Sequence, residues 1–152
     1  MSALQFVGGA WREPQDFEDH LVEVWRFHSV GRDEDARSLL GAIWAWAMDG
    51  LRSAQEVRVA LRLLDRLGFV TDHAEAWRSL PDELVVYRAE SSDEPSRGFC
   101  WTLDRSVAEM HAQEHQLKVT VGVVSKASVL AYITYRGEDE IVVRRERVSP
   151  YF

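Results

Sequence analysis

The feature that most limits what this chain can fold into is a change of period at Pro81. Ahead of it, apolar residues recur every three or four positions; beyond it they fall into short alternating or continuous runs. Helix faces and strand faces repeat with different periods, so one sharp switch implies an α+β chain. A helical subdomain is expected over residues 1–80 and a β-rich core over 81–152, packed as one compact unit. At 152 residues the chain can bury a real core without disulfides or metals.

The helical half reads as three longer helices and a short one. Asp16 suits an N-cap before Phe17, Leu21, Val24, Trp25 and His28, which share a face. The acidic "DEDARS" favours the positive end of a second helix, whose apolar stripe is Leu39, Leu40, Ile43, Trp44, Ala47 and Met48, with Gly50 as its stop. Ser53 to Glu56 form a capping box for a third helix through Val57, Ala60, Leu61 and Leu64, closed by Gly68. "DHAEAWRSL" predicts the short helix, and the tryptophans at helical spacing, Trp25, Trp44, Trp46 and Trp77, are read as packing groups.

After Pro81 five strands are expected: "LVVYRAE" (84–90), "GFCWTL" (98–103), "KVTVGVV" (118–124), "VLAYIT" (129–134) and "EIVVRR" (140–145). Between the second and third, "DRSVAEMHAQEHQ" predicts one helix with Val107, Met110 and Ala108 facing inward. The polar "SSDEPSRG" is a loop.

Composition narrows the function classes. A formal net charge of -7 argues against a nonspecific grip on nucleic acid or anionic membranes and favours a basic partner surface. Cys100 has no second cysteine to pair with, and the opening "MSALQFVGGAWREPQ" lacks a cationic, apolar leader, so a cytoplasmic protein is expected. The run "LLGAIWAWAM" stops at Asp49, short of the roughly 20 apolar residues that span a bilayer.

Four local patterns bear on chemistry. "HAQEH" at 111–115 fits H-x-x-E-H, in which His111 and His115, one turn apart, bind zinc and Glu114 activates water. A peptidase of that kind needs a further ligand downstream, and the remaining chain is mostly strand; the expectation is a solvated helix face and no metal. Cys100, between Phe99 and Trp101, reads as a buried thiol. Arg88, among apolar strand residues, must reach solvent at an edge or meet an anion. In "RGEDEIVV" three acids precede a buried strand, where mutual repulsion is relieved by solvent or by a cation.

Taken in order, "VVYRAE", "GFCWTLDRSVAEMHA" and "VLAYITYRGEDEIVV" resemble the mono-ADP-ribosyltransferases of the arginine, serine, glutamate type, particularly small phage and bacterial members. There a first strand carries an arginine in a "YRG" context, a second carries Ser-x-Ser or Ser-x-Thr, and a late strand opens with Glu-x-Glu. The resemblance covers residues 84–143 and implies a split β-core that binds NAD as substrate. It makes Arg88 the partner of the pyrophosphate and puts Cys100, Trp101 and Thr102 in the Ser-x-Thr place on the NAD side. Glu140 becomes the catalytic glutamate and Glu138 the upstream one, with Tyr135 and Arg136 in the target-selecting loop. Trp101 or Tyr135 would stack on nicotinamide or the target, and Thr102 would brace Glu140. Two positions depart from the pattern: Ala89 follows the arginine in place of glycine, and Cys100 replaces the first serine, removing a strong hydroxyl donor.

The chemistry asks for such groups. Cleaving the nicotinamide–ribose bond develops positive charge at the sugar, which a fixed carboxylate stabilises, and a planar guanidinium matches a diphosphate. In an extended strand, residues 138 and 140 would share a face and Asp139 would take the other. The expected function is NAD-dependent ADP-ribosylation of a macromolecular target with a basic surface, in the manner of a phage or bacterial effector. Arginine is the acceptor this glutamate spacing accompanies in the family, and a nucleic-acid target stays open. Two rivals are an inactive transferase-like binding or inhibitor protein, which Cys100 favours, and a zinc peptidase on His111, Glu114 and His115.

Overall fold

The computed structural model describes residues 14–47, 54–91, 99–134 and 137–151. The chain divides into two compact units, Met1–Asp72 and His73–Phe152.

The first unit holds α1 (Pro14–Ser29), α2 (Asp33–Ala47), α3 (Ala54–Leu67) and a two-residue strand, β1 (Val70–Thr71). Its core is Leu21, Val24 and Phe27 from α1, Leu39, Leu40, Ile43 and Trp44 from α2, and Ala60, Leu63, Leu64 and Leu67 from α3; the α2 residues are those expected, whereas Phe27, Leu63 and Leu67 join the core in place of the expected Trp25, His28 and Leu61, which are only partly buried or exposed. Each large side chain buried here contributes about 1.5–3 kcal/mol of transfer free energy. Trp25 lies outside that stripe, half exposed, with the Arg66 guanidinium 5.1 Å above its ring. The turn after α1 closes by Arg32 N–H to Phe27 C=O at 2.8 Å and Gly31 N–H to His28 C=O at 3.1 Å, a geometry that needs the positive φ of Gly31. Gly68 ends α3 in the same left-handed region, and Arg37 donates to the last-turn carbonyl of Leu67 at 2.8 Å. The capping box at Ser53 and the stop at Gly50 lie outside the described residues. No helix among the described residues is long and apolar enough to cross a membrane.

The second unit contains α4 (Ala74–Ser79), β2 (Glu83–Glu90), β3 (Cys100–Thr102), α5 (Arg105–His115), β4 (Lys118–Ser125), β5 (Ala131–Ile133), β6 (Glu140–Val142) and β7 (Ser149–Pro150). The α4 helix belongs here because Trp77 meets the Tyr132 ring at 5.5 Å and lies under Lys126 Nζ at 4.9 Å. Six strands follow the order β5-β6-β3-β2-β4-β7, and the paired neighbours are antiparallel. Among the described residues they form two ladders, β5-β6-β3 and β2-β4-β7, joined by the single pair Tyr87↔Thr102. Beyond Tyr87 the last residues of β2 pair only with β4, from Arg88↔Thr120 to Glu90↔Lys118, while Cys100 and Trp101 pair with Val142 and Ile141. The sheet is therefore parted along a seam between β2 and β3.

Gly122, in mid-β4, lets β7 come close: a Cβ there would collide with Val148 Cγ1 and stand 3.2 Å from the Ser149 carbonyl oxygen. On α5 the inward face is Ala108 and Ala112; Met110, expected inside, is 47% exposed, and Val107 is only half-buried. Small residues on that face let the helix approach the sheet closely, so the bulkier side chains turn outward.

Candidate functional site

The seam gathers most of the residues that the sequence singled out. Register puts Tyr87, Thr102 and Glu140 in one row, since Tyr87 opposes Thr102 and Thr102 opposes Glu140. Residues directly opposed across antiparallel strands project from the same face. Arg88 and Trp101, one position along, project from the other.

Arg88 bridges the seam. Its Nη1 donates to the Cys100 carbonyl at 2.6 Å, and its Nε lies 3.3 Å from Glu90 Oε1 without being aimed at it, an ion pair rather than a hydrogen bond. Glu90 is the residue that sequence reasoning missed. Its side chain is 4% exposed, yet it touches two guanidiniums, those of Arg88 and Arg145, and accepts from Thr120 Oγ1 at 2.8 Å. A buried carboxylate is tolerated only when paired and bonded in this way. Within this cluster two cations face one anion, so it keeps a surplus positive charge, and the Arg88 and Arg145 side chains remain partly open to solvent. The available signal was alternation: Glu90 follows Arg88 by two along one strand and so shares its face.

Trp101 is a core residue. At 2% exposure, with the Arg145 guanidinium 4.9 Å over its ring, it has no surface left for stacking on nicotinamide, in contrast to the expectation for it. Tyr135 and Arg136, assigned to target selection, lie outside the described residues.

The acidic segment also departs from an extended strand. Gly137 and Asp139 both have positive φ, +71° and +44°, and β6 begins only at Glu140. The backbone thus turns between Glu138 and Glu140, and the alternation expected to align them does not operate there. Each acid has its own setting. Asp139 accepts from the Tyr132 hydroxyl at 3.0 Å; Glu138 Oε1 lies 3.6 Å from His111 Nε2; Glu140 is half-buried, with Oε2 sealed from solvent. Thr102 does not brace the Glu140 carboxylate as expected but the loop before it: its hydroxyl donates to the Glu138 carbonyl and accepts from Asp104 N–H at 3.0 Å. Leu103 N–H adds a 3.1 Å bond to the Asp139 carbonyl. The start of β6 is consequently fixed from β3, which orients Glu140 through its backbone.

Comparison of the chain with family models, with curated proteins and with solved structures returns no match.

Proposed function

We propose that the seam is an NAD site and that the protein is a mono-ADP-ribosyltransferase acting on a macromolecular target. The observation that carries this reading is the grouping of Arg88, Thr102 and Glu140 about one parting in the sheet, Arg88 on one face and Thr102 with Glu140 on the other, so that a dinucleotide reaching all three would pass through the opening that Arg88 spans to the Cys100 carbonyl. Arg88, backed by Arg145, takes the pyrophosphate, since the pair retains positive charge after Glu90 is matched. Glu140 faces the ribose. As the bond from ribose C1′ to the nicotinamide nitrogen breaks, the bonding pair leaves with nicotinamide and the sugar carbon becomes cationic. A carboxylate already desolvated on one side stabilises that charge more than one in water. An acceptor nucleophile then attacks C1′ and gives up its proton to solvent water; Glu138, half-buried in the turn before β6, would hold a cationic acceptor such as arginine.

The experiment measures free nicotinamide and protein-bound ADP-ribose together. Glu140→Gln should lower nicotinamide release about a hundredfold or more while leaving NAD affinity nearly unchanged, because its partner exists only in the transition state. Glu138→Gln should lose transfer and keep slow release to water. Unchanged release in Glu140→Gln, or no NAD binding by the intact chain, would replace this reading with that of an inactive binding protein.

A further inference from the structure

The pair His111–Glu138 joins the C-terminal turns of α5 to the loop ahead of β6, a contact that no local pattern in the chain predicts. His111, Glu114 and His115 stand at helical spacing with ligand atoms all within 4.8 Å of one another. Along the chain alone, this helical trio lacks a further ligand from a second element. Glu138 supplies it, with Oε1 3.6 Å from His111 Nε2.

We infer that His111, His115 and Glu138, with Glu114 beside them, form a site for a divalent transition metal such as zinc that tethers α5 to this loop. Ligands at zinc distances stand about 3.3–3.6 Å apart along the edges of a tetrahedron, so the His111–Glu138 spacing already suits a shared ion. The helix ligands are half-buried to exposed, and rotation of their side chains closes the remaining gap without disturbing the core. Two imidazoles and carboxylate oxygens select zinc or nickel over magnesium and calcium, which prefer oxygen alone. The loop is anchored before any ion arrives: Thr102 holds the Glu138 carbonyl and Tyr132 holds Asp139. Preset backbone of this kind lowers the ordering cost of binding. The role assigned to the ion is a tether, not hydrolysis; the site does not depend on transfer of ADP-ribose, and an ion bound there would compete with the cationic acceptor proposed for Glu138.

The test is calorimetric titration of zinc into untagged, chelator-stripped full-length protein. One equivalent should bind in the micromolar range. His111→Ala with His115→Ala should abolish the heat, and Glu138→Gln should weaken affinity about tenfold or more, since even outer-shell partners of metal ligands are worth 10- to 100-fold. Circular dichroism checks that the variants stay folded. No zinc uptake by the folded original protein, uptake that survives the double histidine change, or equal affinity in Glu138→Gln would each overturn the proposal, the last leaving only a helical histidine pair.

Discussion

Glu90 shows how much one buried group decides. Removing its charge leaves Arg88 and Arg145 facing each other across the space it filled, with Thr120 reduced to a weaker bond. Breaking a fully buried pair costs about 3–5 kcal/mol, and both arginines here keep some solvent, so Glu90→Gln should lower stability by about 2 kcal/mol. Urea denaturation should show an earlier midpoint with an unchanged slope. The same change raises the local positive charge, so affinity for a diphosphate should hold or rise while stability falls. A purely structural role for Arg88 would show only the loss of stability.

At the scale of an element, α5 matters most, because it carries the histidine pair and covers Tyr87, whose ring lies 6.0 Å from the Arg105 guanidinium. The helix is fixed at both ends. Asp104 caps its start by accepting from Ser106 N–H at 2.9 Å and the Ser106 hydroxyl at 2.6 Å, while Gln116 closes its end in a left-handed conformation. The bond from the Ser106 hydroxyl, then that from its N–H, holds the Asp104 carboxyl below the usual carboxylate range. A folded-state pKa that is lowered gives stability present above the unfolded value and lost as pH falls through the folded one. Asp104→Ala should therefore be less stable than the original at neutral pH, and the gap should shrink in acid, below about pH 4. Urea midpoints of the two proteins across that range check it; a gap that stays constant would mean the charge contributes nothing.

On the scale of the whole molecule, the balance of 18 basic against 25 acidic residues governs encounter more than fold. A net charge of -7 attracts cationic acceptors at long range and repels polyanions. If the chain transfers ADP-ribose as proposed, the KM for a basic protein acceptor should rise several-fold as salt increases from about 0.05 to 0.3 M, since the screening length shortens through about 10 Å in that range. The kcat should change little, because the charges at the seam are close and partly buried. Equal salt dependence for a neutral acceptor would count against steering.

By itself the sequence determined the helices and the five longer strands, though not the two-residue β1 and β7. Period separated helices from strands, Gly68 marked an end through local backbone chemistry, and the core stripe was readable for Leu39, Leu40, Ile43 and Trp44 of α2, while in α1 and α3 it missed Phe27, Leu63 and Leu67. It also ordered Arg88, Thr102 and Glu140 along the chain. Tertiary structure alone decided their company: Arg145 reaches Glu90 from 55 positions away, Trp101 turns into the core, Asp139 leaves the extended region, and Glu138 comes to lie beside His111. Local sequence fixes which way a side chain points along its own helix or strand. What stands opposite depends on strand register and on turns such as the one at Gly137, and these are set only when distant segments pair.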